Sequence, residues 1–278
     1  MKRIILAGAL ALLSSVTGLV AQQKQPQPKS QKEVEALQAM FNAQDPDARI
    51  KAGEELLVKF ADTEFKSIAS YLIAVSYDQK GEWEKEVIWA ERTLQSDPKN
   101  YPTLLMLAGG IPKHSQEHDL DLEEKLAKSD KYAKSALDLL ATAEKPNPQM
   151  TDDQWAATKK DLVAQAHEAF GMNAMLRKKN DLAITEFKQA IDGAASPDPT
   201  TQIRLARVYN MTGKPDDAIA LLDKVMASAE TPTQIKQFAQ AERVRAIQAK
   251  GAAAPKPPAA TPAPAGTPAP AATPAPRN

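Results

Sequence analysis

Four pairs in which a bulky apolar residue precedes Ala or Gly recur along this chain: Ile73-Ala74, Leu107-Ala108, Phe170-Gly171 and Leu205-Ala206. Their small members, at positions 74, 108, 171 and 206, stand 34, 63 and 35 residues apart. A small side chain at a fixed period is needed where neighbouring helices cross so closely that a larger one would hold them apart. Two helices and their turns fit a period of about 34 residues, so the pattern constrains the chain to stacked helix pairs. Such an array acts by presenting a surface, and binding is the expected role.

The residues between the pairs agree. Val34-Leu37-Met40-Phe41 and Leu162-Gln165-Ala166-Ala169-Phe170 have helical spacing, and no strand pattern appears between residues 31 and 250. Asp45-Pro46 sets a capping carboxylate before a first-turn proline. Thr151 with Gln154, and Thr231-Pro232 with Gln234, are further N-terminal signatures. Gly81 and Gly213 lie where a left-handed residue would end a helix. Glu82-Trp83-Glu84-Lys85-Glu86 reads as a solvated helix face.

Both ends differ from this middle. Lys2 and Arg3 precede an apolar run from Ile4 to Leu13, and small residues from Ser14 lead to a cut after Ala21, so residues 1–21 are expected to be a signal peptide. Leu19, three residues before the cut, is larger than such a site prefers, and an uncleaved anchor is the rival reading. Residues 22–30, rich in Gln, Lys and Pro, are expected to be a flexible leader. Residues 251–278 hold nine of the 21 prolines, with Thr-Pro-Ala-Pro repeating from Thr261, Thr267 and Thr273. Pro lacks a backbone donor and Ala offers little apolar area, so this tail is expected to stay extended and disordered. A spacer is its simplest role; a glycosylated stalk or a docking strand is the alternative.

Charge and cysteine content narrow the function. Lys and Arg number 35 and Asp and Glu also 35, so the chain lacks the basic excess by which nucleic-acid binders displace counterions. There is no cysteine, which removes disulfides, thiolate metal sites and cysteine nucleophiles together. Export without cysteine suits a periplasmic or secreted bacterial protein stabilised by packing alone.

The pairs and their flanks resemble the tetratricopeptide repeat, whose pattern runs Trp-x2-Leu-Gly-x2-Tyr on a first helix, then Ala, Phe and Ala on a second, then Pro. In residues 67–98, Ile73-Ala74, Tyr77, Gly81 and Pro98 match it, while Glu86 and Thr93 stand where small residues are expected. In residues 199–232 the matches are Leu205-Ala206, Tyr209, Gly213, Ala218, Leu222 and Val225. In the repeat ending near Pro197 they are Phe170-Gly171, Ala174, Ala183, Phe187 and Ala190, with His167 at the Trp position as a packing residue. The resemblance implies an all-α fold: a right-handed α-solenoid of antiparallel helix pairs, about five pairs and a C-terminal capping helix, with disordered termini. Ala74, Ala108, Gly171, Ala206, Ala183 and Ala218 are its packing positions. It also implies a scaffold whose first helices line a groove for a protein or peptide partner; the signal pattern adds that it is exported. By register the groove residues are Tyr71, Val75, Gln79, Leu105, Glu168, Met172, Met175, Ile203, Arg207 and Asn210. The basic set that grips a terminal carboxylate in some family members is not reproduced.

The 63-residue interval carries a surplus over one period. Two long helical stretches, Asp121–Glu144 and Thr151–Lys178, supply it as a hairpin with its tip at Lys145-Pro146-Asn147-Pro148. Gly109-Gly110-Ile111-Pro112 through Asp119 reads as the loop before them, residues 31–61 as a degenerate first pair, and Thr233–Lys250 as the cap.

Nothing indicates catalysis. His114 and His118, with Glu117, Asp119 and Asp121 nearby, form the one metal-like cluster, but Ser115 stands where a metalloprotease places Glu. Serine-hydrolase, phosphate-loop and dinucleotide fingerprints are absent. The expected function is therefore a non-catalytic scaffold of the bacterial cell envelope, with no cofactor, no metal and no nucleic-acid partner. The alternatives are a spacer or anchor acting through the Pro-Ala tail, and a metal-dependent hydrolase using His114 and His118.

Overall fold

A computed structural model describes residues 26–253. The expected signal peptide, the leader up to residue 25 and the tail from residue 254 lie outside the described residues. The described chain is helical, with no strand, and divides after Thr201 into two compact units.

The first unit holds α1 (Gln31–Asn42), α2 (Pro46–Lys59), α3 (Lys66–Lys80), α4 (Trp83–Ser96), α5 (Tyr101–Lys113), α6 (Leu122–Thr142), α7 (Asp152–Leu176) and α8 (Asn180–Gly193). Consecutive helices pack on one another, as the apolar stripes require. Ion pairs and hydrogen bonds show that α6 and α7 run antiparallel. Arg177 at the end of α7 meets Glu123 at the start of α6, and Lys145 beyond α6 meets Asp152 at the start of α7. These are the two long helices of the expected hairpin. The capping signals act as read. Asp45 accepts from the Ala48 amide at 3.0 Å, and Thr151 with Gln154 forms a reciprocal capping box. Gly81 ends α3 in the left-handed conformation, whereas the equivalent turn after α7 places Lys178 there, at φ 58°.

The small residues at the helix crossings are buried. Ala74, Ala108 and Ala183 have no exposed surface, and Gly171 is buried. A Cβ added at Gly171 would lie 2.6 Å from the Phe187 ring, so α7 and α8 approach each other through that missing methyl. Gly53 does the same for α2, where a Cβ would meet Ile73 at 2.8 Å.

One expected loop is a helix. Gly109, Gly110, Ile111 and Pro112 belong to α5, which ends only at Lys113. Two tertiary contacts make helix the better state there. A Cβ at Gly110 would overlap the Trp83 ring, so Gly is the residue that lets α5 pass α4. Pro112 has no amide hydrogen for the Ala108 carbonyl one turn earlier, and the Ser129 hydroxyl of α6 donates to that carbonyl instead, at 2.7 Å. The substitute hydrogen bond offsets the one that Pro112 cannot donate. Residues 114–121 form the connection.

The segment before α1 is also attached. Lys29 Nζ donates to Asp62 Oδ2 at 2.7 Å, and the Lys29 amide donates to Glu33 Oε2 at 2.7 Å. Glu33, 1% exposed, also accepts from the Thr63 hydroxyl, which fixes the entry of the chain into α1.

In the second unit, α9 (Pro199–Met211), which begins just before the division, packs with α10 (Pro215–Ala227) and α11 (Thr233–Ala253). Ala206, Ala218 and Leu222 are fully buried together with Ala239 and Ala246 of α11. The last helix thus covers the apolar side of the final pair, and it runs on to Ala253, past the expected boundary at 250.

Candidate functional site

The first helices of consecutive pairs, α3, α5 and α7, share one concavity of the first unit with about 650 Å³ of open space. Tyr71 and Asp78 come from α3, Leu105, Gly110 and Lys113 from α5, and Asp161, Gln165 and Glu168 from α7. Trp83 and Glu86, on the first turn of α4, complete the wall, and His114 stacks on the Trp83 ring with centroids 4.6 Å apart and planes 5° from parallel.

Glu86 is the unusual member. It occupies the repeat position where a small residue packs, and it is 4% exposed. Burial raises its pKa to about 7, the charge of Asp78 adds to the rise, and Lys113 opposes it. Burial likewise raises the phenols of Tyr71 and Tyr101 above their ordinary range. The segment from Glu82 to Glu86 is therefore only partly a solvated face. Glu84 and Lys85 face water, while Trp83 and Glu86, three residues apart on the helix, turn inward.

The shift gives stability a pH dependence of definite sign. In the unfolded chain the carboxyl ionises near 4.5, whereas the folded protein keeps it protonated until about pH 7. Its contribution to stability is therefore lost as pH rises from about 4.5 to about 7, and is constant outside that window. Glu86→Gln should remove this slope. Thermal melts are expected to show the variant more stable than wild type by on the order of 1–2 kcal/mol at pH 8, less than the full shift because the concavity admits water. At pH 4 the two should coincide. Parallel pH profiles would contradict the assignment.

Of the ten residues expected by register, Tyr71, Leu105 and Glu168 line this space. Val75 and Met175 are half-buried on the same helices, and Met172, 4% exposed, belongs to the packing. Gln79 is exposed and accepts from Arg49 at 3.4 Å. Ile203, Arg207 and Asn210 lie in the second unit. Ile203 is in its core, and Arg207 and Asn210 both reach Glu242 of α11, at 3.5 and 2.9 Å. Glu242 is 3% exposed and also pairs with Arg245 at 2.8 Å, so these polar groups hold the capping helix.

Sequence reasoning missed Trp83, Gly110, Lys113, Asp78 and Asp161. One signal existed for the wall they form: Glu86 departs from the small residue its position calls for. His114 caps α5 against Trp83, Asp119 and Asp121 pair with Lys125, and Glu117 pairs with Lys178. Among the described residues no three His, Cys, Asp or Glu side chains converge as metal ligands would. His167 sits on α7 with Nδ1 2.8 Å from Glu186 Oε2 and its ring edge-on to Phe170.

No family model matches the chain, and no curated protein matches it. Solved structures do. The fold is similar to that of PilW, a widely conserved type IV pilus biogenesis factor, at 16% identity and a TM-score of 0.52, over 80% of this chain and 92% of that one. A thermophilic tetratricopeptide protein of Thermus thermophilus aligns at 19% identity and a TM-score of 0.49, over 79% and 95% of the two chains. The assembly chaperone of RpL4 aligns at 10% identity and a TM-score of 0.43, over 82% and 99%. With the helix pairs and their small crossing residues, the PilW likeness gives the fold: all-helical, built of tetratricopeptide-like helix pairs.

Proposed function

We propose that this chain is a non-catalytic scaffold of the cell envelope that holds a segment of a partner protein in the concavity of its first unit. The carrying observation is that three first helices, α3, α5 and α7, meet around one open space with Tyr71, Trp83, Leu105 and Glu168 on its wall. A concave surface with aromatic anchors and a few convergent polar groups is the form that segment recognition takes. Tyr71, Leu105 and Glu168 are its contact residues, flanked by Val75, Gln79 and Met175. Envelope location is supported by the basic and apolar pattern of residues 2–21. Among the described residues no helix is long and apolar enough to cross a membrane. The Pro-Ala tail serves as a spacer.

A photo-crosslinking residue placed at Tyr71 in the full-length protein tests this in the native host. Adducts with a discrete protein are expected from Tyr71 and not from Val58, which is 81% exposed on α2. Equal labelling from both positions would refute the site. Loss of the adduct on deleting residues 254–278 would transfer the binding role to the tail.

A further inference from the structure

We propose that the segment received by the concavity is cationic, and that a Lys or Arg side chain of the partner enters it to pair with Glu86. This rests on the proposed binding role and deepens it. Two independent observations lead to it.

The first is the state of Glu86. Glu86 as a residue is 4% exposed and lines the concavity, and its carboxyl group, open only to that space, has neither a hydrogen bond nor an ion pair among the described residues. Buried carboxylates elsewhere in this chain are satisfied: Glu33 by the Lys29 amide and Thr63, Glu242 by Asn210, Arg207 and Arg245. A buried carboxylate with open acceptor positions is costly to the free protein, and the cost is relieved by whichever donor the site admits.

The second is charge. Asp78, Glu86, Asp161, Glu168 and Asp198 border the space, against Lys113 as its one Lys or Arg among the described residues. Asp161 is occupied by the Ala195 and Ser196 amides, at 2.8 and 2.9 Å, and still adds negative potential. An anionic segment would meet repulsion; a cationic one is drawn in, and low-dielectric walls strengthen the pair it forms. The indole of Trp83 beside Glu86 offers an aromatic surface for the aliphatic stem or the cation itself. This is the opposite polarity from a clamp for terminal carboxylates, which explains why no such basic set occurs on α3, α5 and α7.

Selection of displayed random 12-residue peptides on the full-length protein tests the inference. The best binder is then synthesised with a fluorescein label and titrated by anisotropy. Selected sequences should be rich in Lys or Arg. Glu86→Gln, which retains the shape, should weaken the best peptide by about 30-fold, the loss expected on removing one partner of a buried charge pair. Replacing the critical Lys by norleucine should weaken it as much, and the two changes together should cost little more than either alone. Melting of Glu86→Gln on the same sample establishes that it is folded. Neutral or acidic peptides that crosslink at Tyr71, or equal affinity for Glu86→Gln, would overturn the charge assignment and leave the binding role standing. Absence of any peptide that crosslinks at Tyr71 would overturn both.

Discussion

Phe187→Ala is expected to destabilise the protein by about 3–5 kcal/mol, the range for truncating a buried aromatic side chain. The ring has no exposed surface, and it lies over the missing side chain of Gly171, where a Cβ would sit 2.6 Å away. Neither α7 nor α8 can close the resulting void easily, because both are held by further contacts along their length. The converse change, Gly171→Leu, should cost roughly 1–3 kcal/mol by forcing the helices apart. The pair should be coupled: in the Phe187→Ala background the leucine has space to enter, and its cost should shrink or change sign. Urea melts of the two single variants and the double variant measure this. Strict additivity would show that the ring and the glycine do not share one crossing.

Ser129→Ala should cost roughly 1–3 kcal/mol, the desolvation of groups left without partners. The Ser129 hydroxyl is buried between three helices. It donates to the Ala108 carbonyl of α5 at 2.7 Å and accepts from Asn173 Nδ2 of α7 at 2.8 Å. The Ala108 carbonyl needs that donor because Pro112 supplies none. In a Pro112→Ala background an amide hydrogen returns one turn beyond Ala108, and the Ser129→Ala cost should fall. If the proline makes no difference to the cost, the hydroxyl matters to Asn173 alone. Asn173 has a second acceptor in Asp130 at 2.7 Å, which Arg177 also reaches at 2.7 Å, so the network ties the long hairpin to α5 at its base.

The two variants mark the boundary of what a linear reading can find. The Gly171–Phe187 crossing was legible because each residue stands at a repeat position and volume alone decides the contact. The Pro112–Ser129 arrangement was not, because it depends on a hydroxyl from another helix reaching one particular carbonyl. Local rules therefore read Gly109–Pro112 as a loop, and tertiary hydrogen bonding made it helix. Glu86 is intermediate. Its mismatch with the repeat was visible in the sequence, but its burial beside Asp78, Trp83 and Lys113 is not a property of α4 alone.

The sequence by itself determined most of the helices and the order of their packing, since apolar spacing, capping residues and small side chains act within one helix or between neighbours along the chain; the last turn of α5 was the exception. Only the tertiary structure decided which polar groups meet. It assigned Arg207 and Asn210 to Glu242 and left Glu86 on a concave wall with neither a side-chain hydrogen bond nor an ion pair among the described residues. The reason is one of range: side-chain volume and backbone propensity are read locally, while the ionisation and hydrogen bonding of a buried group depend on atoms tens of residues away.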